Sequence, residues 1–209
     1  MSKQISADFL IFDLGNVIID IDYQRSLNHI KSLVSNTLHD RVDYFYLTDF
    51  HKEYEKGKMD SPAFRRNVNE YFGQNWSDSE VDLLWNSLLG NIPPSRIELI
   101  QKLKNKYQIG ILSNTNAIHI DAVNEMLQKD FGVDSFHQLV DHVFYSHEMG
   151  LAKPQQEIYQ TMLEQLSTKG DKVIFFDDLE ANVLGAKSCG ITAIQVTGPE
   201  VIFDYFKHV

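Results

Sequence analysis

The chain has 209 residues, 43% of them apolar and 23% charged, with 19 basic residues against 29 acidic ones and a net charge of -10. This is globular usage, long enough for one large domain or one domain carrying an insert, and too acidic to attract a nucleic-acid backbone or an anionic membrane without a local basic patch. The longest basic runs are Arg65-Arg66 and the scattered Lys102, Lys104 and Lys106, and Cys189 is the only cysteine. Nucleic acid as the main partner, an intrachain disulfide and a cysteine-rich zinc site are thereby excluded.

The first strand-like run is Phe9–Phe12, which stops at Asp13 and is too short for a signal-peptide core. No later run approaches the roughly 18 apolar residues of a membrane span. A cytoplasmic setting is expected, with no obligate protein partner evident.

From Tyr23 to Gly90 nothing reads as a strand. Leu27, Ile30, Val34 and Leu38 form one helical stripe, Ser61-Pro62 reads as a helix start with Ser61 as cap, and Ser77 with Glu80 fits a capping box before the stripe Val81, Leu84, Trp85 and Leu88. Trp76, Tyr44, Phe45, Tyr46, Phe50, Tyr54, Phe64, Tyr71 and Phe72 fall in the same stretch, and they are expected to fill a helical core rather than to stack on a ligand.

After Pro93-Pro94 the pattern changes. A helix carrying Ile97, Ile100 and Leu103, with Ser95 and Glu98 as a capping box, leads to the strand Ile109–Leu112. The spacing of Ile118, Ala122 and Met126 gives a second helix, Val143–Tyr145 a weaker strand, and Ile158, Met162 and Leu166 a third helix. The strands Val173–Phe176 and Ile191–Val196 follow. Continuous apolar runs are strands covered on both faces, and their alternation with helices predicts an α/β fold with a doubly wound parallel sheet. The expected division is an α/β core from residues 1–20 and 93–209 with a helical cap from residues 21–92.

Polar residues stand just past three strand ends: Asp13, then Ser113 and Asn114, then Asp177 and Asp178. Singly, each reads as a turn or helix cap. In an open parallel sheet, however, the carboxyl ends of the strands share one crevice where ligands bind, so the three groups converge. Three carboxylates gathered without Cys or His need a hard cation, Mg2+ rather than zinc.

The motifs F-D-L-G-N-V at 12–17, L-S-N-T at 112–115, A-K-P-Q-Q-E-I-Y at 152–159 and F-F-D-D at 175–178 together resemble the four ordered motifs of the haloacid dehalogenase superfamily. The helical insert is similar to that superfamily's type-1 cap, and the motif wording is similar to a bacterial branch of sugar-phosphate phosphatases that includes glucose-1-phosphate phosphatases. The resemblance implies an Mg2+-dependent phosphatase acting on a small phosphorylated metabolite through an aspartyl phosphate on Asp13. It implies that Asp13, the Gly15 carbonyl and Asp178 hold the ion, with Asp177 acting through a water or by orienting those ligands. Ser113, the Asn114 amide and Lys153 are implied to bind the phosphoryl oxygens.

One position departs from the pattern. Most phosphatases of this superfamily carry a second Asp two residues after the nucleophile, which protonates the leaving group; here Gly15 stands there, and its neighbour Asn16 cannot shuttle a proton. The nearest carboxylates, Asp20 and Asp22, read as caps or hinge hydrogen bonds, and His119, His142 and His147 receive no role. The alternatives are a 2-haloacid dehalogenase, disfavoured by the Asp177-Asp178 pair, and a weakly catalytic phosphate-binding regulator, disfavoured by the intact Asp13, Ser113, Lys153 and Asp178. No G-x-x-x-x-G-K segment is present for a P-loop kinase.

Overall fold

The computed structural model describes residues 6–208. β1 (Phe9–Phe12) is followed by five helices without an intervening strand: α1 (Tyr23–Leu33), α2 (His39–Asp43), α3 (Asp49–Glu55), α4 (Ser61–Phe72) and α5 (Asp78–Asn86). The chain then runs through α6 (Pro94–Leu103), β2 (Gln108–Ser113), α7 (Ala117–Phe131), α8 (Phe136–Leu139), β3 (His142–Tyr145), α9 (Ser146–Met149) and α10 (Gln156–Gln165). It ends with β4 (Val173–Asp177), α11 (Glu180–Ser188), β5 (Thr192–Gln195) and α12 (Glu200–Phe206). The strands form one parallel sheet in the order β3-β2-β1-β4-β5. This is the expected α/β fold with a helical insert after the first strand. None of the described helices is long and apolar enough to cross a membrane.

Strand alternation explains why the apolar runs are continuous. Leu10, Phe12, Ile109, Ile111, Ile174 and Phe176 point to one face and meet α6, α7 and α12. Ile11, Leu112, Val173 and Phe175 point to the other and meet α10 and α11. Both faces are covered, so neither needs polar residues.

The insert has its own core. Phe45, Phe64, Phe72 and Trp85 are fully buried with Ile30, Val42, Val68 and Val81. Trp85 also reaches the sheet domain: its ring stacks on His119 at 4.8 Å and its Nε1 donates to Asn116 Oδ1 at 3.1 Å. A two-stranded neck closes the insert, with Asp20 N donating to Asn91 O, Gly90 N to Asp20 O and Asp22 N to Leu88 O.

Several local expectations need correction. Asp60, not Ser61, caps α4, accepting from Ala63 N at 2.8 Å; Ser61 lies inside the first turn and bonds Tyr54 Oη. No side chain caps α6, because Pro93 takes the cap position and Ser95 falls two residues past it. The stripe from Leu27 to Leu38 is not one helix: α1 ends at Leu33 and Val34 turns to extended backbone ahead of a short 3-10 turn capped by Ser35. Among the aromatics, Tyr44 is exposed. The Ser77–Glu80 capping box is present in full.

Candidate active site

β1 lies mid-sheet between β2 and β4, and Phe12 pairs with both Ile111 and Phe176. The next residue on β1 is therefore flanked by the ends of both neighbours. Asp13 N donates to Phe176 O at 2.8 Å, so the Asp13 side chain leaves the sheet at the point where the winding reverses. The following turn folds back on itself, with Ile18 N and Ile19 N both donating to Leu14 O at 2.8 Å and Asn16 N to Ile19 O at 2.7 Å. Asn16 sits at φ 55, a left-handed conformation that Asn tolerates better than most residues.

Lys153 is held from two directions. Its backbone is clamped to Asn114, whose Nδ2 donates to Lys153 O at 2.9 Å and whose Oδ1 accepts from Lys153 N at 2.8 Å. Its ammonium, almost fully buried, contacts Asp13 Oδ1 at 2.8 Å and Asp177 Oδ2 at 2.6 Å. Asp177 is saturated: besides Lys153 it accepts from Leu179 N at 2.9 Å and from Asn182 Nδ2 at 2.9 and 3.1 Å. Asp178 takes one bond from Asn16 Nδ2 at 2.9 Å, while Asn16 Oδ1 accepts from Ile21 N. Asn16 thus ties the loop after β1 to the loop after β4. The sequence singles out neither Asn16 nor Asn182 as a site residue, and the left-handed turn that places the first is seen only in the structure.

The structure brings all seven expected site residues to this crevice. Asp13, Gly15, Ser113, Asn114, Lys153 and Asp178 line one cavity of about 410 Å3, and Asp177 lies beneath it. Asp20 and Asp22 stay outside: Asp20 pairs with Arg96 at 2.8 Å and Asp22 caps α1 through Arg25 N. His142 bonds Gln108 and His147 is half-buried away from the cavity. His119 does line the cavity but is fixed against Trp85 and Asn86, and burial lowers its pKa to about 3, so it is neutral. The cavity's other wall comes from the insert. It includes Tyr23, Tyr46, His51 and Glu55, none of which the sequence reading placed there.

Electrostatics favour a bound cation. Burial pushes the Asp13 carboxyl up to about 7, against the pull of Lys153 and with the repulsion of Asp177 and Asp178 added. Burial raises Asp178 as well, partly offset by Asn16. Lys153, which burial alone would discharge, is kept charged above its usual range by Asp13 and Asp177. Three carboxylates face one ammonium, leaving the charge that one divalent cation balances. Oxygens of Asp13, Asp177 and Asp178 lie within 4.8 Å of one another, with no His or Cys among them, a donor set suited to a hard ion. Since the Asp177 oxygens are already occupied, Asp13 and Asp178 are the carboxylates with oxygens left to offer such an ion. The Gly15 carbonyl accepts no backbone hydrogen bond among the described residues.

Residues 8–190 match the family model for haloacid dehalogenase-like hydrolases. The chain is 24% identical over 188 residues to a D-ribitol-5-phosphate phosphatase of Bacteroides thetaiotaomicron, covering 89% of this chain and 90% of that protein. It is 23% identical over 194 residues to a sesquiterpene phosphatase of Aspergillus oryzae, covering 90% and 88%. A crystal structure of a haloacid dehalogenase family enzyme from B. thetaiotaomicron, in complex with magnesium and inorganic phosphate, superposes with a TM-score of 0.84 at 29% identity, covering 96% of this chain and 99% of that one.

Proposed function

The chain belongs to the haloacid dehalogenase-like hydrolases, and from that premise we propose that it is an Mg2+-dependent phosphatase of small sugar or sugar-alcohol phosphates. The observation that carries the reading is the contact of Asp13 with Lys153 beside two further carboxylates, at the floor of a cavity walled by a second structural unit. A carboxylate that needs only to attack an alkyl halide gains nothing from two acidic neighbours. One that must approach a dianionic phosphate needs a cation there. The relative acting on D-ribitol 5-phosphate and the phosphate-bound structural neighbour support the substrate class.

Asp13, Asp178 and the Gly15 carbonyl would hold Mg2+, which when bound supplies positive charge that screens nucleophile from phosphate. The remaining work belongs to the chain. Lys153 and the Ser113 hydroxyl, with the Asn114 amide, bind the non-bridging phosphoryl oxygens. The Asp13 carboxylate attacks phosphorus, the ester oxygen leaves as the alcohol, and water hydrolyses the aspartyl phosphate, regenerating Asp13. Asp177 takes no part in bond-making; it holds the Lys153 ammonium in place. We assign residues 21–92 as a cap over a core of residues 1–20 and 93–209, because the insert has its own aromatic core and one backbone neck.

The leaving group would sit against Tyr23, Tyr46, His51 and Glu55. Among the described residues Lys153 is the only Lys or Arg lining the cavity, and it serves the phosphoryl end. A leaving group bearing a carboxylate or a second phosphate therefore has no counter-charge, whereas a polyol or sugar has hydroxyl partners. The test is a panel of sugar, polyol, nucleotide and organic-acid phosphates assayed with Mg2+ and with EDTA, and 2-chloropropionate assayed for chloride release. Hydrolysis of ribitol 5-phosphate, glucose 1-phosphate or close analogues, lost in EDTA, is expected. EDTA-resistant dehalogenation without phosphatase activity would overturn the reading.

A further inference from the structure

An alkoxide is a poor leaving group, so the ester oxygen of a sugar phosphate needs a proton as its bond to phosphorus breaks. Among the described residues of the core floor no carboxyl or ammonium is free to give it, and the Ser113 hydroxyl is committed to the phosphoryl oxygens. Gly15 has no side chain, Asp13 is the attacking group, Asp177 is saturated, Asp178 faces the cation position and Lys153 is locked between two carboxylates. On the remaining wall, burial holds the Tyr23 phenol up at about 12 and raises that of Tyr46 still further, and His119 is neutral and fixed.

His51 and Glu55 are different. They stand one turn apart at the end of α3. His51 Nδ1 lies 2.6 Å from the Tyr46 carbonyl, which can only accept, so that nitrogen carries a hydrogen. His51 Nε2 then faces Glu55 Oε1 at 3.3 Å, and the two form an ion pair when Nε2 also carries a proton. The turn bearing Glu55 is also anchored to the core. The Ser146 hydroxyl donates to Glu55 O at 2.6 Å, and Gly57, at φ +65, lies so close to the His147 carbonyl that a Cβ would fall 1.9 Å from its oxygen. Tyr46, Tyr23, His119, Asp13 and Asp178 line the same cavity as the pair. The Tyr23 phenol feels the charges of Glu55, Asp13 and Asp178 together, so all three carboxylates lie within electrostatic reach of one side chain of the cavity wall.

We propose that the His51–Glu55 pair is the general acid and base of this site, supplied by the insert in place of a side chain at position 15. This deepens the phosphatase reading and rests on it. As Asp13 Oδ bonds to phosphorus, the electrons of the breaking P–O bond pass to the ester oxygen. The proton on His51 Nε2 moves onto that oxygen, giving the neutral alcohol and leaving neutral His51 beside the Glu55 carboxylate. In the second half, water returns a proton to the pair while its oxygen bonds to phosphorus, and inorganic phosphate and the Asp13 carboxylate are released.

The experiment compares wild type, Glu55→Gln and His51→Gln on ribitol 5-phosphate or glucose 1-phosphate and on 4-nitrophenyl phosphate, whose leaving group departs without help. Wild-type hydrolysis of either ester establishes phosphatase activity separately; hydrolysis of neither sinks that reading and the proposal with it. Given activity, kcat/KM for the alkyl or sugar ester should fall about 10²- to 10⁴-fold in both variants, and less than tenfold for the aryl ester. Because water attack also needs the base, the variants should release one rapid equivalent of 4-nitrophenolate per enzyme and then turn over slowly. Glu55→Asp should recover part of the loss. Equal losses on both ester types without a burst, or no loss on either, would overturn the proposal. The surviving aryl activity certifies that the variants are folded.

Discussion

The floor and the roof of the cavity are built on opposite principles. The floor sits on three adjacent strands of one sheet, and its groups are over-determined: Lys153 touches two carboxylates, Asp177 accepts from three partners and Asn114 grips Lys153 by two bonds. The roof hangs from a helical unit packed mainly on itself, and its polar groups, such as His51 against the Tyr46 carbonyl and Glu55, are held by partners within that unit. A rigid floor suits phosphoryl transfer, where positioning and charge do most of the catalysis. A roof built on separate helices can change its leaving-group contacts without disturbing the groups that bind and attack the phosphoryl end.

The comparison breaks most sharply at Asp13. Asp13→Asn keeps the side-chain volume and removes the nucleophile, so turnover should fall by roughly 10⁴-fold or more. Circular dichroism and thermal melting should show an intact fold; a folded variant retaining most of the wild-type rate would refute the assignment.

Lys153→Met should be the most damaging change to stability. It leaves Asp177, fully buried, without its counter-charge, and breaking a buried pair from one side costs roughly 3–5 kcal/mol. Urea unfolding measures this. Removing Glu55, which has no such burial, should cost far less, and equal losses would contradict the division into rigid floor and adaptable roof.

The floor's charge also fixes a pH dependence. Asp13 ionises near 3.8 in the unfolded chain and near 7 in the folded one. Below the lower value the carboxyl is protonated in both states. As pH rises from there through about 7, the unfolded state ionises first, so in EDTA this group's contribution to stability is lost progressively. Saturating Mg2+ should flatten that slope, and Asp13→Asn should remove this residue's part of it. Thermal melting across pH 4–8, with and without Mg2+, reads the difference; an EDTA curve that rises steadily with pH would contradict it.

How legible each region was in the sequence follows the same division. The strands showed as continuous apolar runs because both faces of the sheet are covered, and strand ends share one side by topology, so Asp13, Ser113 and Asp177 could be placed together from order alone. The roof depends on how two packed units are oriented, which no short-range pattern encodes. His51 and Glu55 do show one trace, an i,i+4 spacing that puts both on one helix face, but nothing local says which way that face points. Caps failed for a different reason: Ser61 stands one position past Asp60, an equally good cap residue, and Ser95 stands two positions past Pro93, which leaves α6 without a side-chain cap. Asn16 was passed over as a proton carrier, and its actual place, bonded to Asp178 and Ile21, comes from a left-handed turn that composition does not announce.

Asn16→Ala tests that tie between the loops. It frees Asp178 from its one side-chain partner, so the Mg2+ concentration for half-maximal rate should rise about 10- to 100-fold while kcat at saturating Mg2+ changes little. An unchanged Mg2+ requirement would show that Asp178 is oriented by the sheet alone.

The smallest expected effect is the most discriminating. A Cβ at Gly15 would lie 3.4 Å from Ile21 Cγ1 and 4.0 Å from Asp13 Oδ2, ordinary contacts, so Gly15→Asp should fold and direct a carboxyl toward the reacting atoms. If the roof already supplies the proton, the new carboxyl duplicates an existing function and adds a fourth negative charge to the floor. On alkyl phosphates it should then change kcat/KM by no more than about threefold in the wild-type background. In the Glu55→Gln background the same substitution should recover at least about tenfold, because there it supplies what is missing. Effects of two groups serving one step are not additive, and this cycle measures the shortfall directly. Equal gains in both backgrounds would show that Gly15 marks a loss that nothing in the roof repairs, and that floor and roof act independently.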